Sequence, residues 1–209
     1  NIRLTDAICH VVRCFEDPDI THVEGSVDPI RDIEIINLEL IMADLQTVEN
    51  RLAKVERKAQ TNKDKDAMAE VAVLKKIKDA LEAEKPARSV ELDKDELAIV
   101  KAFSLLTLKP VIYVANMSDE DIMDPESNPL YQKVKAFAAA ENSHVVPVCA
   151  KIEEELSGLD KEEKAEFLKE LGIAESGLDQ IIKTAYSILN LRTFLTAGED
   201  ECRAWTFRQ

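Results

Sequence analysis

The chain has 209 residues, of which 45% are hydrophobic, so it can bury a core as one large domain or two small ones. Its net charge of −14 argues against non-specific nucleic-acid binding by the whole surface, and we expect no DNA partner. No apolar run is long enough to cross a bilayer, so we expect no membrane partner either.

The four cysteines are Cys9, Cys14, Cys149 and Cys202, and they form no CxxC pair. None of them lies at metal-site spacing from a histidine, so we expect no metal site in this chain. Cys9 and Cys149 lie in apolar, strand-like runs, which favours buried free thiols in a reducing cytoplasm.

Two features indicate that part of the protein lies elsewhere. None of the five glycines belongs to a GxxxxGK[ST] phosphate loop. The chain starts at Asn1, without Met and inside an apparent structural element, and it stops at Gln209 directly after a strand-like run. We therefore expect this chain to be a piece of a longer protein.

The first predicted elements are a strand over residues 7–15 and a helix that begins after a loop. His10 lies in the middle of the strand, and we interpret it as a satisfied core or sheet-face histidine because no partner lies at metal-site spacing. Asp28 is a good N-cap residue, and Pro29 follows at the first helical position, where proline is well tolerated.

Two apolar seams at helical spacing then predict an antiparallel helical hairpin, in which a polar turn over residues 60–64 joins two long helices. The first seam consists of Leu38, Ile41, Leu45, Val48, Leu52 and Val55, and the second of Ala67, Val71, Leu74, Ile77 and Leu81.

The tip of this hairpin, residues 51–65, carries six basic residues against two acidic ones on an otherwise acidic chain. This contrast favours an anionic partner such as RNA, although a solvated lysine-rich helix end explains it equally well. No aromatic side chain is present to stack on bases, so only backbone contact is expected. The candidate contact residues are Lys54, Arg57, Lys58 and Lys63.

The remainder alternates between strands and helices, which predicts a parallel sheet with the hairpin inserted after its first strand. A helix capped by Asp93 continues through Leu106 and leads into a strand at residues 111–114. A helix over about 128–141 and a strand over 144–149 follow. Helices over about 161–171 and 177–189 close this part, and a β-hairpin near the end begins a further small domain.

Polar residues at two neighbouring strand ends form a possible base pocket, because ligands of open α/β sheets bind beyond the carboxyl ends of parallel strands. Asn116 and Asp119 follow one strand, and Cys149-Ala150-Lys151 follow the next. An amide can fix the loop, a carboxylate can accept from a base, and small residues let backbone N–H groups approach its edge. The alternative is that Asn116 only turns the chain and Asp119 only caps a helix.

These motifs and their surroundings resemble the YchF family of Obg-like ATPases, in the translation-factor branch of the P-loop NTPases. The resemblance covers essentially the whole chain. It is carried by residues 6–17, 22–29, 32–34, 38–40, 44–45, 116, 149–153, 191–194 and 204–206.

The resemblance implies an α/β fold: part of a P-loop NTPase G domain with a parallel sheet, an inserted antiparallel coiled-coil hairpin, and the start of a β-grasp-like TGS domain. On this view, residues 1–27 and 87–190 belong to the G domain, residues 28–86 to the hairpin, and residues 191–209 to the TGS domain. It also implies association with the ribosome.

The resemblance further implies binding and hydrolysis of ATP with Mg²⁺. The base contacts carried over are Asn116, Met117, Asp119, Cys149, Ala150 and Lys151. Asp119 replaces the family's usual Glu, which leaves a GTP-preferring GTPase as an alternative, beside a non-enzymatic docking module. The phosphate loop, the switch segments and the Mg²⁺ ligands are expected upstream of Asn1, so we assign no catalytic residue here and predict that the isolated chain is inactive.

Overall fold

The computed structural model of the chain describes residues 2–17, 26–62 and 64–209, without the side chains of residues 60–62. These residues form two compact units, which we call the hairpin unit (Asn1–Ile8 and Ile33–Pro110) and the sheet unit (Cys9–Asp32 and Val111–Gln209). None of the helices in the described ranges is long and apolar enough to span a membrane.

After an initial strand and two long helices, the described chain alternates between helices and strands up to its third strand, and three helices and two strands follow. In chain order they are β1 (Ile8–Arg13), α1 (Pro29–Asn62), α2 (Lys65–Glu82), α3 (Lys94–Lys101), β2 (Val111–Asn116), α4 (Pro129–Ala140), β3 (His144–Val148), α5 (Ala150–Ser157), α6 (Lys161–Glu170), α7 (Gly177–Ile188), β4 (Leu191–Ala197) and β5 (Cys202–Arg208).

The predicted antiparallel hairpin is present as α1 and α2. Asp28 caps α1 by accepting hydrogen bonds from the N–H groups of Ile30 and Arg31, and Asp64 caps α2 in the same way. Ion pairs join the two helices, and Glu49 and Glu56 of α1 bind Lys78 and Lys75 of α2 in the reverse order, as antiparallel helices require. The pairs are Arg51–Glu70, Lys75–Glu56 and Lys78–Glu49.

The apolar seam of the hairpin is buried with two differences from the prediction. Leu38 is 41% exposed, although Ile33 before it and Ile41 after it in α1 are buried. Val73 is fully buried beside Leu74, although it lies outside the predicted seam. The core of the hairpin unit also includes Ala87, Val100 and Leu105, which follow the hairpin in sequence.

The helix after Asp93 is shorter than predicted. Asp93 and Glu96 form a reciprocal capping box, as expected for its start. The helix ends at Lys101 and does not continue through Leu106 as predicted, because the chain turns at Ser104 with a positive φ of 50°. The backbone N–H groups of Leu106 and Thr107 instead donate to the carboxylate of Asp44 in α1, and we call this contact the root of the hairpin.

The sheet unit contains the predicted parallel sheet, with strand order β1-β2-β3. β2 and β3 pair in parallel, with Asn116 opposite Val148. One face packs against α7 through Ile181, Ala185 and Ile188. On the other face Tyr113 contacts the rings of His10 and Phe137. The strand that ends in Asn116 is therefore the middle strand, as predicted.

Two cysteine predictions have different outcomes. Cys149 is buried and Cys9 is exposed, and all four cysteines are free. The prediction for Cys9 was wrong because strand side chains alternate between faces. Ile8 and Val12 are buried, whereas Val11, two residues from Cys9 along the strand, is 65% exposed.

The sheet unit also contains the short helix α5 and a β-hairpin formed by β4 and β5. The short helix α5 was not predicted, and it begins directly after Cys149. β4 and β5 form the predicted antiparallel hairpin, with Phe194 opposite Trp205. The assignment of residues 191–209 to a TGS domain, and of the other segments to their domains, stays a prediction, since compact units do not define domain ancestry.

Candidate base-binding site

The candidate site lies where β2 and β3 end side by side. The backbone N–H of Met117 donates to the carbonyl of Val148 at 2.8 Å, so pairing of the two strands continues to their last residues. β1 also reaches this edge, since the N–H of Cys14 donates to the carbonyl of Asn116 at 2.7 Å. The predicted motifs of both strand ends are thus brought together at one edge of the sheet.

Asn116 ties the two loops together. Its Oδ1 atom accepts a hydrogen bond of 3.0 Å from the backbone N–H of Ala150, 34 residues later in the chain. An amide at this position therefore does more than turn the chain, because it fixes the start of α5 relative to β2. This contact is the loop-fixing part of the role predicted for Asn116.

Asp119 and Lys151 form the second link between the loops, through an ion pair between Oδ2 and Nζ. Both side chains are exposed, 48% for Asp119 and 67% for Lys151. The hydrogen bond from Lys151 lowers the pKa of Asp119, and the same bond raises the pKa of Lys151. Because the pair is open to solvent, a ligand can reach either side chain.

Helix capping does not account for Asp119. The hydroxyl oxygen of Ser118 accepts from the backbone N–H of Asp121, and the N–H of Ile122 donates to the carbonyl of Ser118. The turn after Asn116 is thus held by Ser118. The carboxylate of Asp119 points instead to the other loop, through Lys151.

The remaining predicted residues differ in exposure. Met117 is 2% exposed and Cys149 is 3% exposed, so their side chains are part of the protein interior. A base can reach them through the backbone alone unless these side chains move. Ala150 is exposed, and it is the first residue of α5.

The start of α5 supplies backbone donors to this edge. The first N–H groups of a helix have no partner within the helix, so they are free to bind side chains, water or ligands. The N–H of Ala150 is one of them and is used by Asn116. This arrangement can present hydrogen-bond donors to the edge of a base, which is the chemistry expected from a small residue followed by alanine and lysine.

Asn128 is a supporting residue that sequence reasoning assigned only to a helix start. It is 6% exposed, and its Oδ1 atom caps α4 by accepting from the N–H groups of Leu130 and Tyr131. Its Nδ2 group donates to the carbonyl of Cys14 at 3.1 Å and to Asp121 at 2.9 Å. The Asn-Pro pair signalled the cap, but no pattern signalled the link to β1.

No group of three or more His, Cys, Asp and Glu side chains that could hold a metal ion occurs within residues 2–17, 26–62 and 64–209. The described residues therefore offer no set of ligands into which the predicted Mg²⁺ could be fitted.

Comparison with known proteins gives a consistent result, although no protein-family model matches the chain. Its sequence is 56% identical over 209 residues to the ribosome-binding ATPase YchF of Bacillus subtilis, covering 100% of this chain and 57% of that protein. It is 50% identical over 206 residues to the ribosome-binding ATPase YchF of Haemophilus influenzae, covering 99% of this chain and 56% of that protein.

A solved structure, that of the Schizosaccharomyces pombe YchF GTPase, matches with a TM-score of 0.85 and 37% sequence identity, covering 99% of this chain and 56% of that one. The chain thus spans a little over half the length of the relatives that it matches. The α/β fold with its parallel sheet is that of a P-loop NTPase, as the resemblance implied. Over the whole of its described length, the chain belongs to the YchF family.

Proposed function

We propose that this chain is the base-binding half of a protein that, at full length, binds and hydrolyses ATP with Mg²⁺ and associates with ribosomes in the cytoplasm. The observation that carries the base-binding part is the pair of links between the two strand-end loops. Asn116 binds the backbone of Ala150, and Asp119 pairs with Lys151. The names of the bacterial relatives support ATP hydrolysis and ribosome binding.

The ion pair gives a physical argument for adenine over guanine. Guanine offers two adjacent donors, N1–H and the 2-amino group, and is best read by both oxygens of one free carboxylate. Here Oδ2 of Asp119 accepts a hydrogen bond from Lys151, so guanine would have to compete with that side chain for the second oxygen. Adenine has an acceptor at N1 and an amino donor beside it, and backbone N–H and carbonyl groups can satisfy both.

Competition binding to the full-length protein tests this proposal. We expect ATP to displace a labelled nucleotide at lower concentration than GTP does. Asn116→Ala should weaken ATP binding by roughly tenfold, the size of one lost positioning interaction. Asp119→Glu, which restores the family's usual residue, should keep the preference for ATP. Equal or tighter binding of GTP would contradict the adenine proposal and favour a GTPase, the term used for the yeast neighbour.

The tip of the hairpin is the proposed ribosome contact. Lys54, Arg57 and Lys58 are exposed near the end of α1, whereas Lys63 lies outside the described residues. Each of these cations can neutralise an RNA phosphate, and such contacts weaken as salt concentration rises.

Charge reversal tests the role of the tip. Replacing Lys54, Arg57, Lys58 and Lys63 by Glu should reduce co-sedimentation with ribosomes and leave ATP affinity unchanged. A matched control reverses four exposed lysines elsewhere, Lys85, Lys94, Lys161 and Lys169, with the same change in net charge. Equal effects of the two sets would show that only overall charge matters and would remove this role from the tip.

A docking module without enzymatic activity is the second candidate, and the exposed basic tip is the observation that favours it. It predicts that Asn116→Ala combined with Asp119→Ala leaves the cellular function intact. Under the leading proposal, the same double variant loses nucleotide-dependent function while its ribosome association persists.

A further inference from the structure

Glu153 connects the base-binding turn to a helix that the candidate site does not otherwise include. It lies in the first turns of α5, three residues after Ala150, and it is half-buried. Its Oε1 atom accepts a hydrogen bond of 2.6 Å from the backbone N–H of Gly177, the first residue of α7. One carboxylate thus joins the start of α5 to the start of α7.

A glycine is required at position 177 for the start of α7 to come this close to Val148 and Glu153. A Cβ atom at this position would lie 2.6 Å from Cγ2 of Val148 and 3.1 Å from Oε1 of Glu153. The first distance is shorter than carbon atoms tolerate, so any other residue would push Val148 or α7 away. Glycine therefore lets the start of α7 pack directly against the last residue of β3.

Both contacts of Gly177 act on the segment that holds the candidate base site. The carbonyl of Val148 accepts the N–H of Met117, and the N–H of Ala150 binds Asn116. Residues 148–150 are therefore held by β2 on one side and by the start of α7 on the other. A shift of α7 would therefore move the start of α5, whose first backbone N–H groups are the donors proposed for the base.

We propose that Glu153 is a positioning residue for nucleotide binding: through Gly177 it holds the turn Cys149–Lys151 against α7 and thereby sets how tightly a base is bound. This inference rests on the proposed base-binding function. The competing explanation is that Glu153 only stabilises the start of α7, in which case its loss would lower stability without a specific effect on the base.

The experiment separates base binding from phosphate binding in the full-length protein. Calorimetry measures the affinities for ATP and for inorganic tripolyphosphate, each with Mg²⁺, and their ratio reports the contribution of the nucleoside. We expect Glu153→Ala to weaken ATP binding by roughly tenfold and to leave tripolyphosphate binding unchanged. Glu153→Gln retains an oxygen acceptor for Gly177 and should recover most of the ATP affinity.

A matched pair of glycine variants tests the steric half of the argument. Gly177→Ala should lower the ratio of ATP to tripolyphosphate affinity at least as much as Glu153→Ala does. Gly158→Ala, at the other end of α5, is the control, because a Cβ there meets only the carbonyl oxygen of Glu155 at 3.9 Å. It should leave the ratio unchanged.

The outcomes decide between the explanations. An unchanged affinity ratio in folded Glu153→Ala would overturn the proposal, whatever the melting temperature of the variant. An equal loss of ATP and tripolyphosphate affinity would also overturn it, as a general structural defect. If the wild-type protein itself binds ATP no tighter than tripolyphosphate, the base-binding function fails first, and that result is visible before any variant is made.

Discussion

In both the root of the hairpin and the candidate base site, one carboxylate holds a loop that is distant in sequence. The two carboxylates differ in their burial and in their partners. Asp44 of α1 is fully buried and accepts three hydrogen bonds, from the N–H of Leu106 at 2.9 Å and from the N–H and hydroxyl of Thr107 at 2.7 and 2.8 Å. Asp119 is 48% exposed and binds the side chain of Lys151.

This difference indicates which of the two contacts must stay formed in the folded protein. A buried carboxylate without its donors would cost several kcal/mol, so the loop at Thr107 cannot leave Asp44 without disrupting the unit. An exposed ion pair exchanges its partner for water at little cost. The contact between Asp44 and the loop at Thr107 therefore stays closed, whereas the two strand-end loops keep polar groups that a ligand can bind.

Removal of the buried carboxylate should have the largest effect. Asp44→Ala leaves the donors of Leu106 and Thr107 without an acceptor, so we expect a loss of roughly 3–5 kcal/mol in the free energy of unfolding. Urea denaturation followed by circular dichroism measures it. Asp79→Ala, an exposed aspartate on α2, is the control and should change stability little. A similar small effect at Asp44 would remove the contrast between the two regions.

The link made by Asn116 should contribute less. Asn116→Ala removes one acceptor from the exposed N–H of Ala150, where water can replace it, so we expect a loss of about 1 kcal/mol. The same denaturation experiment measures the change, and Asn116→Asp, which keeps an oxygen acceptor, should retain most of the stability. If Asn116→Ala lowered the free energy of unfolding as much as Asp44→Ala does, the link between the strand-end loops would be as important for stability as the root of the hairpin.

The ion pair of Asp119 should shift the pKa values of its two side chains but change the free energy of unfolding very little. The pKa of Asp119 lies below its ordinary value of 3.8, so any stabilisation is present above that value and is lost as pH falls through the lowered pKa. The pKa of Lys151 lies above 10.5, so the contribution is present below that value and is lost as pH rises through the raised pKa.

NMR titration of the Lys151 side chain tests this pairing. Asp119→Asn should return the pKa of Lys151 towards 10.5 and leave the unfolding midpoint near neutral pH almost unchanged. A pKa of Lys151 that does not respond to Asp119→Asn would show that the two side chains are not paired in solution.

Thiol reactivity gives the smallest and simplest test of burial in the sheet unit. Cys14 is fully buried, and burial raises its pKa to about 12, so it should not react with a thiol reagent in the folded protein. Cys149 should be protected by its burial. Cys202 should react first and Cys9 more slowly, because partial burial raises the pKa of Cys9. Fast reaction of Cys14 would contradict the packing of β1.

The fold could be predicted where periodicity reports packing directly. The seam of Val48, Leu52, Leu74 and Ile77 is buried, and the parallel sheet has β2 in its middle as predicted. Periodicity did not predict burial correctly at positions where the packing of the folded chain decides it. Leu38 has the seam's spacing but is exposed between the buried Ile33 and Ile41, and Cys9 lies on the exposed face of β1.

The candidate site could be predicted in its residue types but not in its connections. Asn116, Asp119 and Lys151 were identified from their order and spacing, and the structure brings them together. The hydrogen bond from Ala150 to Asn116 and the one from Gly177 to Glu153 join residues that are 34 and 24 positions apart. Such bonds depend on the angles between elements, which no local pattern encodes.

Under the proposed function, the two strand-end loops contact the base of a nucleotide. Hydrogen–deuterium exchange of the full-length protein with ATP and with tripolyphosphate, each with Mg²⁺, tests it most directly. We predict that ATP protects residues 115–120 and 148–153 and that tripolyphosphate leaves both segments unprotected. Equal protection by the two ligands, or no protection by ATP, would contradict the claim.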